Sequence, residues 1–314
     1  MNNLRIFYAK VTFSWGFVVR HRGVTAAQPA YPIPPPTTVV GTFAYPLLRI
    51  LGLPPINKAS SIAWGEGRLI SDLMKPLLES TIMATAALIS PRMCEEVALP
   101  HSHGKSLRVG VAVYQELGRI IASPYKTGGQ VKDIKSSKVL ESRFFTDAIP
   151  KAFPVQAVGA TYAPALMVKL LWVLNAEKLS KEINVSIDKL DSAGRKAVYG
   201  VVRIGSKEGI VALEEAMYVQ NPRILDPGEK VNSRFYIEQS CVEALDPAMT
   251  AEIVLPDLQY KLTSYYLPAH IGSNTVIIPL AEGETPPLFR VLSPCKAIAI
   301  PNLEGVIGVT HIWA

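Results

Sequence analysis

Between residues 28 and 46 the chain reads QPAYPIPPPTTVVGTFAYP, six prolines around a short apolar run. Each proline fixes φ, removes a backbone donor and turns the residue before it away from the α region. This ramp can be neither a helix interior nor a central strand, so it runs extended. The residues after it have a different period. Val40, Phe43, Leu47 and Ile50 recur at spacings of three and four, the stripe of a helix with one buried face. Thr37 or Thr38 is placed to cap its N-terminus. Gly52 and Pro54–Pro55 close it, and Pro46 inside it is expected to kink it. A stiff ramp that delivers a helix start is the fixed point around which the rest must fold.

The flanking segments supply strands and a second helix. LRIFYAKVTFSWGF, residues 4–17, predicts a long first strand. Leu4, Ile6 and Tyr8 share one phase and Val11, Phe13, Trp15 and Phe17 the other, so a bulge or twist is expected near Ala9–Lys10. RLISDLMKPLLES, residues 68–80, reads as helical, and STIMATAALI, 80–89, as a strand. PALMVKLLWVL, 164–174, is the most apolar window. It contains Lys169 and is too short to span a bilayer, so it reads as a buried strand or core helix. SIDKLDSAGRKAVYGVV, 186–202, predicts a second helix with Leu190, Ala193, Ala197, Val198 and Val201 on its stripe. Asp188 and Asp191 suit its first turn. RIGSKEG, 203–209, is a turn, and IVALEEAMYV, 210–219, a strand. The order strand, helix, strand, insertion, strand, helix, strand is that of a split βαβ domain, ferredoxin-like or RRM-like. The expected class is α+β. Residues 1–222 form this domain, and residues 223–314, with short runs broken by prolines and glycines, form a second β-rich C-terminal lobe.

Charge separates one region from the others. The 314-residue chain carries a net +6, and its apolar fraction of 49% is ample for a core. Residues 101–160 form a polar, basic insertion. Seven lysines and arginines face three acids between residues 119 and 151, a surplus of four. Lys126, Lys132, Lys135, Lys138 and Arg143 alternate there with Tyr125, Phe144 and Phe145. Cations hold phosphates and aromatic faces stack unpaired bases, which favours single-stranded RNA, although a solubilising loop would look similar. Arg20, His21 and Arg22 form a second basic loop just before the ramp. The small residues of PPPTTVVG could present free N–H groups to a phosphate, and ordinary capping would use the same residues.

Enzyme signatures are sparse. There is no nucleophile elbow and no phosphate-binding P-loop. His101 and His103 lack the acidic or cysteine neighbours a metal site needs, so no metal and no cofactor are expected. Cys94, Cys241 and Cys295 are odd in number and far apart, which argues against a disulfide framework and for a reducing cytoplasm. The N-terminus lacks the order of a signal peptide, and no membrane association is expected. Tyr31, His21 and Lys126 could supply a base and an electropositive group for metal-free RNA cleavage, but their spacing does not demand it.

Three segments together resemble one family. FSWGFVVR…AYPIPPPTTVVGTFAY, residues 13–45, is similar to the opening of the Cas-five family of CRISPR-associated (RAMP) proteins. The match falls on Tyr31, Pro34, Pro35, Pro36, Thr37, Thr38 and Gly41. Arg203, Ile204, Gly205, Ser206, Lys207 and Glu208 resemble the family's turn after its second helix, and SYYLP, 264–268, a late tyrosine–leucine–proline element. The WGF after the first strand resembles the archaeal type I-A branch. The chain is long for the family, with the excess around 53–160 and in the C-terminal lobe.

The resemblance implies a non-catalytic subunit of the type I interference complex, Cascade. It would cap the 5′ handle of the CRISPR RNA, contact the backbone and large subunits, and touch target DNA only indirectly. Such complexes read their target by guide pairing while protein holds backbone and shape. Arg20, His21 and Arg22 would take the handle, with Tyr31, Thr37 and Thr38 supporting them. Lys126, Lys132, Lys135, Lys138 and Arg143 would form a thumb. Arg203 and Lys207 would assist, or Arg203 and Glu208 would simply pair within their turn. Two alternatives stay open: a metal-independent endoribonuclease that processes CRISPR repeat RNA, and a scaffold that binds only proteins.

Overall fold

The computed structural model describes residues 3–14, 16–19, 31–53, 61–90, 96–98, 106–108, 114–116, 160–162, 166–205, 209–271, 277–300 and 306–310. Strand β1 (Leu4–Phe13) is followed by helix α1 (Pro36–Leu51), the short helix α2 (Met74–Ser80) and strand β2 (Thr81–Ser90). Strand β3 (Met167–Asn175) leads through helices α3 (Ala176–Glu182) and α4 (Ile187–Ala197) to strand β4 (Val211–Gln220). In the sheet these strands lie in the order β4-β1-β3-β2, each neighbouring pair antiparallel. As a result β1 runs parallel to β2 and β3 parallel to β4. Two β-α-β units are thus interleaved, each with a strand of the other between its own. The class is α+β, as the sequence order implied.

The sheet is apolar on both faces. Phe7, Ala9, Val11 and Phe13 of β1 join a cluster with Val40, Phe43 and Leu47 of α1 and Leu190, Ala193 and Ala197 of α4. At its centre Phe7 lies 4.8 Å from Trp172 and 5.0 Å from Tyr218, ring centroid to centroid. Ile6 and Tyr8 point the other way, into a cluster with Leu171, Val173, Phe235, Ile298 and Ile300. The two phases of residues 4–13 are therefore two buried faces of one strand, not a slip within it. β1 pairs with β3 in unbroken register from Leu4↔Asn175 to Thr12↔Met167. The irregularity lies on β4: Lys10 faces Glu215 and Val11 faces Leu213, leaving Glu214 as the extra residue. β1 ends at Phe13, and Gly16–Phe17 pairs separately with Ala160–Tyr162.

Of the chain from residue 223 onward, part forms two separate three-stranded sheets and part extends the same sheet. Strands β5 (Ile237–Glu238), β6 (Thr250–Pro256), β7 (Leu262–Ile271) and β8 (Ile277–Ala281) complete eight strands. β8 lies parallel beside β2 through Leu280↔Ile89 and Ala281↔Ser90, and β7 pairs with β8, β6 and β5.

Four local expectations are corrected. Residues 68–80 are not one helix: Arg68–Ser71 pairs as a strand with Ser61–Trp64, and only Met74–Ser80 is helical. Leu69 is 73% exposed beside Ile70 at 9%, an alternation of period two that a helix would not give. Ile50 lies off the buried stripe of α1 at 43% exposure. Neither Thr37 nor Thr38 caps α1; the extended Pro35 does, with Pro36 at the first helical position. The expectation of unpaired cysteines also fails, because Cys241 and Cys295 form a disulfide. Their separation of 54 residues hides what register creates. Val242 pairs with Val291, and the Leu292 N–H donates to the Cys241 carbonyl, bringing the Cα atoms to 5.4 Å. Among the described residues no helix is long and apolar enough to cross a membrane.

Candidate nucleic-acid interface

The ramp delivers α1 as its prolines require. The Tyr31 N–H donates to the Val19 carbonyl at 2.8 Å, and the Pro34 carbonyl accepts from the Tyr236 hydroxyl at 3.3 Å. The Thr38 and Val39 N–H groups both donate to the Pro35 carbonyl, at 2.9 and 3.1 Å. Because the backbone closes the helix, neither threonine side chain is spent on the cap. Both are half-buried and face open space.

That space has two parts. A small cavity of about 200 Å³ is walled by Val19, Tyr31, Pro35, Thr37, Thr38 and Tyr260. A larger cleft of about 730 Å³ runs between Thr38, Gly41 and Tyr45 of α1 and the segment carrying Val202, Arg203 and Ile210. Thr38 belongs to both. Among the described residues neither is lined by an acidic side chain. A third groove, of about 640 Å³, instead carries Glu79, Glu238 and Asp257 against Lys178 and Lys261. A polyanion therefore meets less repulsion in the first two.

The far wall of the cleft is set by the turn after α4. The Ile204 N–H donates to the Gly209 carbonyl at 2.8 Å, and Arg203 bridges to Ile210. Gly205 has φ +70°, a region that favours glycine, and a Cβ at Gly209 would sit 1.9 Å from the Ile204 carbonyl oxygen. Both glycines are required by the turn itself. Arg203 is exposed at the mouth of the cleft.

The turn is held in place by a buried polar network. Asp191 of α4 accepts from Arg5 Nε at 2.7 Å, from the Tyr218 hydroxyl at 2.5 Å and from Gln220 Nε2 at 2.6 Å. Burial pushes its carboxyl up, but the hydrogen bonds from Arg5 and Tyr218 outweigh this and hold it below the usual carboxylate range. The Arg5 guanidinium is raised by the same pairing, and burial together with the bond to Asp191 pushes the Tyr218 phenol up. Sequence position alone makes Asp191 a first-turn helper of its helix. The structure makes it the bolt between α4, β1 and β4.

Of the residues singled out in the sequence, Tyr31, Thr37, Thr38 and Arg203 are described, and all line one of the two openings. Tyr31 is 2% exposed, so it is a wall of the small cavity with no open ring face. Arg20, His21, Arg22, Lys126, Lys132, Lys135, Lys138, Arg143 and Lys207 lie outside the described residues. The sequence reading missed Tyr45 and Arg49. Their spacing of four on the flank of the apolar stripe was the available signal.

No family model matches the chain, and no curated protein matches it. A crystal structure of a CRISPR protein from Archaeoglobus fulgidus superposes with a TM-score of 0.54 at 16% identity, covering 98% of this chain and 100% of that one. A type III-B Cmr-beta complex bound to cognate target RNA and AMPPnP aligns at a TM-score of 0.29 with 11% identity, over 87% and 85% of the two chains. A CRISPR RNA-guided surveillance complex in a pre-nicking state aligns at 0.28 with 7% identity, over 78% and 81%. The latter two carry no weight at those scores. The chain shares its fold, over nearly its whole length, with the Archaeoglobus fulgidus CRISPR protein.

Proposed function

We propose that this chain is a non-catalytic, RNA-binding subunit of a type I CRISPR interference complex, seated on the 5′ handle of the CRISPR RNA. One observation carries the reading. Thr37, Thr38 and Arg203, from two motifs far apart in sequence, line adjoining openings that carry no acidic side chain among the described residues. The fold shared with the Archaeoglobus fulgidus protein supports it. On this reading the interleaved β-α-β units are an RRM-like RAMP domain, and Arg20, His21 and Arg22 take the 5′ handle. Lys126, Lys132, Lys135, Lys138 and Arg143 extend along the guide as a thumb. The backbone and large subunits of Cascade are its protein partners.

The test is binding of CRISPR RNA by the full chain over a range of salt. Several phosphate contacts give a steep fall of log K with log salt, about −0.7 per contact for single strands. Repeat RNA should remain intact in EDTA throughout. A flat salt response would favour a scaffold that binds only proteins, and cleavage would favour a nuclease.

A further inference from the structure

We infer that the cleft between the middle of α1 and the segments carrying Val202, Arg203 and Ile210 receives one unpaired base, stacked on Tyr45, with its phosphate held by Arg203. The inference rests on the RNA-binding reading above and adds to it a base slot on Tyr45, a residue outside the sequence motifs. It begins with Gly41. A glycine in a helix interior costs stability relative to alanine, so its presence calls for a reason. The usual reasons are missing here. Gly41 is not in the left-handed region, and a Cβ built on it meets no atom within 4 Å among the described residues. Gly194 of α4 makes the contrast, because a Cβ there would strike the Tyr218 ring at 2.4 Å. Packing explains Gly194. Gly41 leaves open a space that this chain's described residues do not fill.

The walls of that space have the chemistry of a base slot. Tyr45 stands one turn after Gly41 and is 47% exposed. Helical side chains lean toward the N-terminus, and Tyr45 and Gly41 line the same cleft. Arg49 stands one turn further on, with its guanidinium carbon 5.9 Å from the Tyr45 ring centroid. Opposite, Val202 and Ile210 are 62% and 60% exposed, an apolar wall with no described cover. A base has two apolar faces and a polar edge, and a slot between an aromatic ring and aliphatic side chains suits it. Arg203 at the mouth supplies a cation, and no acidic residue among the described ones lines the cleft. A volume of about 730 Å³ is within the range of small-ligand sites. A purely apolar partner side chain would gain nothing from Arg203, so the observations favour a nucleotide.

The test uses the full chain and a short unpaired RNA of mixed sequence, with affinity read by fluorescence anisotropy and folding by thermal melting. Tyr45→Ala should weaken binding about fivefold to a hundredfold, the range for losing one stacked base, and Tyr45→Phe should restore it. Gly41→Leu should weaken binding comparably by filling the slot, while melting no lower than the parent protein. RNA carrying 5-iodouridine should crosslink to Tyr45 on irradiation. Parental affinity in both Tyr45→Ala and Gly41→Leu, with the parent binding RNA, overturns the subsite and leaves the RNA-binding reading standing. A parent chain with no salt-dependent RNA affinity overturns both. If the two variants lose a co-purifying protein while keeping RNA, the cleft is a protein-docking site and the inference fails.

Discussion

Asp191 decides whether α4 sits correctly on its sheet. Four groups from Arg5, Tyr218 and Gln220 converge on its two oxygens, and its side chain is only 10% exposed. Asp191→Ala would leave the Arg5 guanidinium buried without its partner, a change that costs about 3–5 kcal/mol. Denaturant unfolding of the two proteins checks this. The pH dependence is set by the sign of the shift. A carboxyl held below its unfolded value of about 4 contributes stability at neutral pH and loses that contribution as the pH falls through its folded value. The gap between the parent and Asp191→Asn should therefore narrow between about pH 7 and about pH 2. None of this was legible in the sequence. The sequence makes Asp191 a first-turn acid, whereas the helix begins at Ile187 with only Asp188 in its first turn, and the main partner of Asp191 lies 186 residues away.

At the level of elements, the legible parts were those with a sustained period. The ramp, α1, β1, β2, β3, α4 and β4 were all readable from apolar spacing and from their prolines and glycines. The failures have physical causes. Residues 68–71 are too short for period two to stand out from a helical flank. Side-chain hydroxyls are the obvious candidates to cap α1, yet an extended proline does the same job with its carbonyl. β1 reads as a slipped strand because strands buried on both faces lose their alternation. The turn after α4 gives the prediction at this scale. Gly209→Ala places a methyl against the Ile204 carbonyl, and such overpacking costs about 1–3 kcal/mol. If Arg203 binds RNA, the same variant should also weaken RNA affinity, because the distortion moves the Arg203–Ile210 bridge. Melting temperature and RNA titration on one preparation separate the two effects.

At the scale of the whole molecule, the disulfide and the eight-stranded sheet tie distant parts of the chain together. The Cys241–Cys295 bond closes a loop of 54 residues, and such a crosslink stabilises by about 2–4 kcal/mol. Reductant, or the pair Cys241→Ala and Cys295→Ala, should lower the melting temperature accordingly and leave RNA affinity unchanged. The parallel pairing of β8 with β2 has a further consequence for how the protein is made. A nascent chain that has emerged only as far as residue 222 holds all four central strands. The side of the sheet that carries Ile6, Tyr8, Leu171 and Val173 still waits for Phe235, Ile298 and Ile300. That apolar surface stays wet until residues 235–300 have left the ribosome. Synthesis, not the finished fold, is thus the stage at which this protein is most exposed to aggregation, and a truncated product should be the species that chaperones capture.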